Sequence, residues 1–201
     1  MIQEPVFAAV PGQALQGRLY TGEMLSGQKQ GKAAWTNDIL DLHEGGHVTF
    51  PHRGDFEVKQ PLSVECWLWL DQAGKSPVIL SCGEWRKAGW FLQRLGDQWR
   101  WHVGGVDCDG GKPPLGRWVH LVGIFDGSSL RLFENGVQVA EAKGDIKTDA
   151  WPGDLHVGQY SAGPTPDFQV NGRITGVKIY HRPLGASEIS AAAKSKPSQD
   201  R

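Results

Sequence analysis

Residues 117–142 read RWVHLVGIFDGSSLRLFENGVQVAEA, and this stretch decides the fold. Apolar and polar side chains alternate on both sides of Asp126-Gly127 and again on both sides of Asn135-Gly136. Alternation with a period of two is typical of β-strands. Asn-Gly is the strongest short hairpin signal, because a type I′ turn needs a positive φ at both of its central residues. The stretch therefore predicts three consecutive antiparallel strands.

The same pattern extends over most of the chain. Further strands are predicted in DILDLHEGGHVTF (38–50), LSVECWLWLD (62–71), PVILSCG (77–83), GWFLQRLGDQWRWHVGG (89–105, a hairpin about Gly96-Asp97), GDLHVGQY (153–160) and VNGRITGVKIYHR (170–182). Roughly a dozen short strands with a turn signal every 8–12 residues predict a β-sandwich or barrel. The one predicted helix is terminal: Ser187 is placed to cap EISAAAKS.

We expect a single domain over residues 1–195. Residues 1–38 are its least regular part, with EPVFAAV (4–10) as a candidate opening strand, and residues 196–201 are expected to form a solvated tail.

Charge and composition exclude several classes of function. The chain has 201 residues, 21 Lys and Arg against 22 Asp and Glu, and 9 Trp. A net charge of −1 without a basic run argues against nucleic-acid and anionic-membrane partners. No apolar run approaches the roughly 18 residues of a membrane span. The first residues also lack the charged and apolar regions of a signal peptide, so we expect any export signal to lie outside this chain.

Cys66, Cys82 and Cys108 lack CxxC spacing, which argues against a zinc ribbon. They read best as small apolar side chains at strand positions, and their redox state stays open.

Residues 43–47, HEGGH, match the HExxH pattern of zinc peptidases. That chemistry requires a helix, which places both histidines on one face and within reach of one zinc ion. Two adjacent glycines each cost a helix about 1 kcal/mol relative to alanine, and the segment lies between two alternating stretches. We therefore expect a turn at this position, no zinc and no peptidase activity.

A glycosidase is another class of enzyme to consider. Retaining glycosidases hold two carboxyl groups about 5–5.5 Å apart, and inverting ones roughly 6.5–9.5 Å. Glu65 and Asp71 share a strand face but would lie roughly 20 Å apart.

Asp107 and Asp109 lie beside Gly110-Gly111 in a predicted loop, which makes this pair a candidate calcium site.

The motifs from about residue 39 to 190 resemble, in order, the laminin-G-like jelly-roll family of the concanavalin A-like lectin/glucanase superfamily. They are LDLHEGGHVTFP, LSVECWLWL, VILSCG, GRWVHLVGIFDGSSLRLFENGVQVA and VNGRITGVKIYHRPLGASEI. The resemblance implies two antiparallel sheets in a jelly roll, usually in an exported protein, that mostly binds carbohydrate or protein, sometimes with calcium. Thr175-Gly176 stand where the family usually has Asp-Glu, so any role of those acids is in doubt here.

Comparison with the family divides the aromatic residues into two sets. Trp67 and Trp118 occupy packing positions, and Phe91, Phe125 and Phe133 also read as core. The extra tryptophans are candidates to stack on the flat C–H faces of sugars, with Arg100, His102 and Gln93 as polar partners. The predicted carbohydrate-binding residues are Trp69, Trp85, Trp99, Trp101, Arg100 and Trp151.

We therefore expect an all-β, two-sheet antiparallel jelly-roll β-sandwich with a short C-terminal helix. Its expected function is non-catalytic binding of a glycan or polysaccharide, as part of or beside a larger exported protein. The alternatives are a protein-interaction or spacer domain whose tryptophan-rich face docks on a neighbouring domain or protein, and a glycan-active enzyme.

Overall fold

The computed structural model describes residues 4–9, 16–19, 21, 23–36, 38–58 and 61–197. Within these ranges the chain forms two antiparallel sheets, two short 3₁₀ turns and one α-helix. The elements are β1 Phe7–Ala9, β2 Gln16–Leu19, β3 Met24–Ser26, β4 Gln28–Gln30, β5 Ala34–Thr36, β6 Ile39–Asp41, β7 His47–Phe50, β8 Leu62–Leu70, β9 Val78–Glu84, β10 Ala88–Leu95, β11 Gln98–Val103, β12 Val106–Gly110, β13 Trp118–Phe125, β14 Ser129–Glu134, β15 Val137–Lys143, β16 Leu155–Val157, β17 Gly172–Tyr180 and α1 Ala186–Lys194.

The larger sheet has the strand order β15-β14-β13-β8-β17-β1-β2-β3, with β6 also paired to β17 and β5 paired to β6. The smaller sheet has the order β12-β11-β10-β9-β16-β7-β4. The two sheets meet at both edges. At one edge, β3 of the larger sheet is followed by β4 of the smaller sheet across Gly27. At the other edge, a Cβ at Gly110 in β12 would lie 2.5 Å from a carbonyl oxygen of β15. The predicted two-sheet antiparallel sandwich with a short C-terminal helix is confirmed.

The predicted hairpins are present. Leu95 pairs with Gln98 across Gly96-Asp97, and Glu134 pairs with Val137 across Asn135-Gly136. Asn135 and Gly136 both have positive φ, 51° and 85°, as a type I′ turn requires. The candidate opening strand is also present, since β1 pairs with β17.

Two local predictions were wrong. Asp107 and Asp109 lie on strand β12 and not in a loop. The helix begins at Ala186, so Ser187 lies inside its first turn, and the N–H of Gly185 is bonded by Glu188 Oε2 at 2.9 Å. Of the expected tail, residues 198–201 lie outside the described residues.

Residues 43–47 are not helical, as predicted: a turn leads into β7, which begins at His47, but the flanking strands are not a hairpin. β6 belongs to the ten-stranded sheet and β7 to the seven-stranded sheet. The His43 imidazole lies between two carboxylates, with Nδ1 2.7 Å from Asp41 and Nε2 2.8 Å from Asp71. His47 instead stacks on His156 with ring centroids 5.1 Å apart. The two histidines therefore have separate partners.

Three tryptophans fill the centre of the sandwich. Trp90, Trp99 and Trp101 are fully buried. Each indole N–H donates a hydrogen bond: Trp90 to the carbonyl of Phe56 at 2.7 Å, Trp99 to Glu134 at 3.0 Å and Trp101 to the carbonyl of Ile124 at 3.1 Å. A buried indole is stable because its N–H finds such a partner.

The outer face of the ten-stranded sheet is closed by the C-terminal helix. Ile189 of the helix packs with Val122, Ile124, Phe133 and Tyr180 in a second apolar cluster. Trp67 and Trp118 are buried as expected, but they lie on this outer face and not between the sheets: Trp67 packs on His120, and Trp118 packs edge-on against Trp69. Phe125 does lie in the main core.

Beside this cluster, Glu65 is buried with three hydrogen-bonding partners. Lys178 Nζ lies 2.7 Å from Oε1, Tyr180 donates its hydroxyl proton at 3.0 Å, and His120 Nε2 lies 3.3 Å from Oε2. Burial opposes ionisation, but the hydrogen bond from His120 and the charge of Lys178 outweigh it and lower the pKa of Glu65 to about 2. Both oxygens of this buried carboxylate thus have hydrogen-bonding partners.

Cys66, Cys82 and Cys108 are free and buried, as expected for apolar strand positions. Burial raises the pKa of all three thiols, that of Cys108 to about 12. None of the described helices has the length and apolar character needed to cross a bilayer.

Gly123 on β13 should be among the least replaceable residues, because a Cβ there would lie 2.4 Å from the Trp101 ring. We expect Gly123→Ala to lower the free energy of unfolding by about 1–3 kcal/mol, as overpacking does. The measurement is urea denaturation followed by tryptophan fluorescence. Gly163→Ala is the matched control, since nothing lies within 4 Å of a Cβ at that position. Equal stability of the two variants would contradict the proposed packing.

Candidate binding pocket

The outer face of the seven-stranded sheet carries a row of side chains in register. His102 of β11 pairs with Phe91 of β10 and with Asp107 of β12, and Phe91 pairs with Ser81 of β9. One row along, Gln93 pairs with Arg100. These residues face outward because side chains alternate along a strand and their neighbours Trp90, Trp99 and Trp101 point inward.

A pocket of about 330 Å³ opens on this face. Its size lies at the lower end of the roughly 300–1,000 Å³ that is usual for small-molecule sites. Most of its wall is apolar, with a few polar groups at the floor. The lining residues are Ser76, Val78, Trp85, Phe91, Gln93, Leu95, Arg100, Tyr160 and Phe168.

The aromatic part of the wall is a set of rings at steep angles. Tyr160 meets Phe91 edge-on, with centroids 5.6 Å apart and an interplanar angle of 83°, and meets Phe168 at 5.0 Å and 62°. Phe91 stacks on the buried His102 ring at 4.5 Å. Edge-to-face pairs contribute about 0.5–1.5 kcal/mol beyond area burial. The rings therefore hold one another and present a preformed surface.

Trp85 forms the exposed rim of the pocket, with 44% of its surface accessible. It lies on the turn between β9 and β10, and its backbone N–H donates to the Tyr160 hydroxyl at 2.6 Å. The next residue, Arg86, has a φ of 60°, and its N–H donates to His102 Nε2 at 3.4 Å. The Arg86 guanidinium lies 4.3 Å from the centroid of the Trp85 ring. His102 of β11 and Tyr160, which lies after β16, thus fix the turn that carries the indole.

His102 is held in one tautomer by its partners. Nδ1 lies 2.6 Å from Asp107 Oδ1, while the N–H groups of Arg86 and Gly105 both point to Nε2 at 3.4 Å. A nitrogen that accepts from two donors carries no proton, so the proton is on Nδ1. Burial lowers the pKa of His102, and the hydrogen bond to Asp107 opposes it only in part.

Arg100 forms the charged part of the floor and is paired with two carboxylates. It donates to both oxygens of Asp109 at 2.9 and 2.7 Å, and Nη1 lies 3.1 Å from Asp107. The hydrogen bond to Asp109 raises the pKa of Arg100. These carboxylate oxygens face a guanidinium and an imidazole, so the Asp107–Asp109 pair does not fit a calcium site. Among the residues that the structure describes, no three His, Cys, Asp or Glu side chains are grouped to hold a metal ion.

The predicted sugar-stacking residues do not converge on one site. Trp85 and Arg100 line the pocket. The prediction for Trp99 and Trp101 was wrong: both are fully buried between the sheets, because that face of β11 is the apolar one. Trp69 lies on the opposite side of the sandwich, where Arg173 covers its ring and its N–H donates to Asp71 at 3.0 Å. Trp151 packs against the core and does not line the pocket.

Sequence reasoning missed much of the wall. The sequence predicts Phe91 in the core, whereas the side chain faces the pocket, and it does not predict Val78, Leu95, Tyr160 or Phe168 as lining residues. One signal was present, because Phe91 and Gln93 alternate with Trp90 and Leu92 in GWFLQRL. Tyr160 and Phe168 lie in a long irregular segment after β16, and no pattern in the sequence places them near β10.

Comparison with known proteins agrees with this architecture. The family profile Laminin_G_3, of the concanavalin A-like lectin/glucanases superfamily, matches residues 42–190. No curated protein sequence matches the chain significantly.

Solved structures with a similar fold include binding domains of neurotoxins. The receptor-binding domain of botulinum neurotoxin C/D mosaic serotype has a TM-score of 0.71 at 10% identity, over 94% of this chain and 51% of that one. The ligand-binding domain of botulinum neurotoxin serotype D in complex with N-acetylneuraminic acid gives 0.72 at 11%, over 94% and 50%. The serotype G binding domain gives 0.71 at 12%, over 95% and 51%. This chain therefore spans about half the length of these structures, and the likeness concerns the fold.

The state of His102 should make the Trp85 turn sensitive to acid. The ordinary histidine pKa is about 6.5, so a lowered folded value means that the unfolded chain binds more protons below that pH. The neutral His102 therefore stabilises the folded state fully above about pH 6.5, and this stabilisation is lost as the pH falls toward the lowered pKa of the folded protein. Burial likewise lowers the pKa of His156 to about 4. We expect the free energy of unfolding to fall from pH 6.5 toward 4, measured by urea denaturation, and to fall less in His156→Asn.

Ring ¹⁵N chemical shifts provide the direct measurement on His102. We expect the neutral Nδ1–H form at pH 7.5 and titration below 6.5. A neutral Nε2–H form, or titration above 6.5, would contradict the hydrogen-bond assignment.

Proposed function

The chain belongs to the Laminin_G_3 family of the concanavalin A-like lectin/glucanases superfamily, and we propose that it is a non-catalytic module that binds carbohydrate through the pocket beside Trp85. The observation that carries this proposal is an exposed indole on a turn that Tyr160 and His102 fix in place. Sugars present flat C–H faces, and a ring held before binding loses little entropy when it stacks on one.

The energetics are consistent with binding of one or a few sugar residues. Stacking that buries roughly 100 Å² of apolar surface contributes about 2.5 kcal/mol at 25 cal/mol/Å². A millimolar Kd needs about 4 kcal/mol. Trp85 alone is therefore insufficient, and Phe91 and Tyr160 must add contact area. Gln93 adds a polar group beside Arg100, and its amide Nε2 donates to the Ser76 carbonyl at 3.0 Å.

A non-catalytic role is supported by the state of the nearby carboxylates. Glycoside hydrolysis needs one protonated carboxyl as general acid and a second carboxylate as nucleophile or base. Asp107 and Asp109 do lie together, but both are ion-paired with Arg100, and neither lines the pocket. Neither carboxyl group therefore faces a ligand held in this pocket, as a general acid or a nucleophile must.

A protein partner is the second candidate. Trp85 and Leu95, 44% and 37% exposed, both line the pocket, and such a rim would also accept an apolar side chain of another protein. Residence in a larger exported protein stays a proposal that rests on the family. A calcium requirement also stays a proposal, and Asp107 and Asp109 do not support it at this pocket.

The proposal predicts that Trp85→Ala weakens glycan binding while leaving the fold intact, because the indole lies at the exposed rim of the pocket. The measurement is a broad glycan array, in calcium and again in chelator, followed by titration of the hits. We expect at least a tenfold loss of affinity, about 1.4 kcal/mol. Trp69→Ala on the opposite face is the matched control and should bind as the wild type does. We expect chelator to change nothing at this pocket.

Two results would count against the proposal. A blank array in both conditions would leave the protein-partner candidate in its place. Hits that survive Trp85→Ala but vanish in Trp69→Ala would move the site to the other sheet.

A further inference from the structure

The pocket combines apolar walls with one charge that is already compensated. Of its lining residues, all within the described part of the chain, Arg100 is the one with a charged side chain. Its guanidinium contacts two carboxylates within 3.1 Å, so this group of three has a net charge of −1. His102 beside it is neutral, since its Nε2 accepts two hydrogen bonds.

The charges near the rim are also engaged. Lys87 pairs with Glu84 at 2.5 Å, and Lys75 with Asp167 at 2.5 Å. The Arg86 guanidinium lies over the Trp85 ring. An anionic ligand near Arg100 would therefore meet a guanidinium whose charge two carboxylates already compensate, and it would also lose hydration against apolar walls.

We propose that this pocket takes a neutral sugar that bears a methyl group, as acetamido and 6-deoxy sugars do, and rejects sugars that carry a carboxylate. This inference rests on the proposed carbohydrate function and names the class of sugar. The preference for a methyl group follows from the apolar walls of the pocket. An unsubstituted hexose can cover one ring with its C–H face, but its other edges carry hydroxyls. Against Val78, Leu95 and Phe168 those hydroxyls would lose water without gaining a partner.

A methyl group on the ligand replaces such a hydroxyl edge with a surface that matches the wall. Burial of one methyl group is worth about a fourfold change in affinity, and more when it also removes an unpartnered hydroxyl from an apolar surface. The pocket volume of about 330 Å³ suits one residue of this kind, so the recognised unit is a single sugar and not an extended chain.

The test uses matched methyl glycosides with the whole 201-residue chain. Methyl β-glucoside is compared with methyl β-N-acetylglucosaminide, which adds the acetamido group, and with methyl β-glucuronide, which replaces the C6 hydroxymethyl group by a carboxylate. Binding is followed by ¹H–¹⁵N NMR shifts, including the Trp85 indole signal assigned from Trp85→Ala. We expect the acetamido sugar to bind at least fourfold more tightly than the glucoside. The glucuronide should bind at least tenfold more weakly.

A charge variant tests the rejection of carboxylates separately. Asp109→Asn removes one of the two carboxylates from Arg100 and should raise affinity for the glucuronide at least fivefold while changing affinity for the acetamido sugar less than twofold. Thermal denaturation confirms that the variant folds. Lys32→Gln, made in the otherwise wild-type chain, is the control, because it changes the charge of a remote and exposed side chain.

The outcomes separate this inference from the function on which it rests. Glucuronide that binds as tightly as the glucoside, or an acetamido group without effect, overturns the inference and leaves carbohydrate binding in place. No binding of any of the three sugars, with hits elsewhere on the array, also overturns it. No binding of these sugars together with a blank array overturns the proposed function itself.

Discussion

The structure depends on three indoles that lie between the two sheets. Trp90, Trp99 and Trp101 each place an N–H on a specific acceptor, so each ring is fixed both by packing and by a hydrogen bond. Gly123 on the facing strand provides the space that the Trp101 ring fills. Because side chains alternate along a strand, an inward Trp99 and Trp101 require an outward Arg100. The same packing that separates the sheets therefore aims the polar residues of the pocket.

The pocket is built from this fixed face outward. His102 is held by Asp107 on one side and supports the Arg86 N–H on the other, while Tyr160 accepts the Trp85 N–H. Arg86 in this turn has a positive φ, which is a costly backbone conformation for a residue with a side chain. The hydrogen bonds from the Arg86 N–H to His102 and from the Trp85 N–H to Tyr160 offset this cost and orient the exposed indole before a ligand arrives.

The two outer faces of the sandwich have different roles for a physical reason. On the ten-stranded sheet, α1 covers an apolar cluster, and Glu65 is enclosed with Lys178 and Tyr180. A buried carboxylate with a full set of donors is expensive to disturb, which favours a structural role. On the seven-stranded sheet the equivalent space is open, and aromatic rings line it. Binding is therefore proposed on the second face.

The sequence by itself determined the strands, the hairpins and the sandwich, because period-two alternation and Asn135-Gly136 act over a few residues and report local geometry directly. It also excluded a helix at residues 43–47. It did not determine which face of QWRWHV points inward, since both faces carry large side chains, and so Trp99 and Trp101 were assigned to the wrong side. Nor did it bring Tyr160 to Trp85, 75 positions earlier. Those choices depend on long-range packing between sheets, which only the tertiary structure decides.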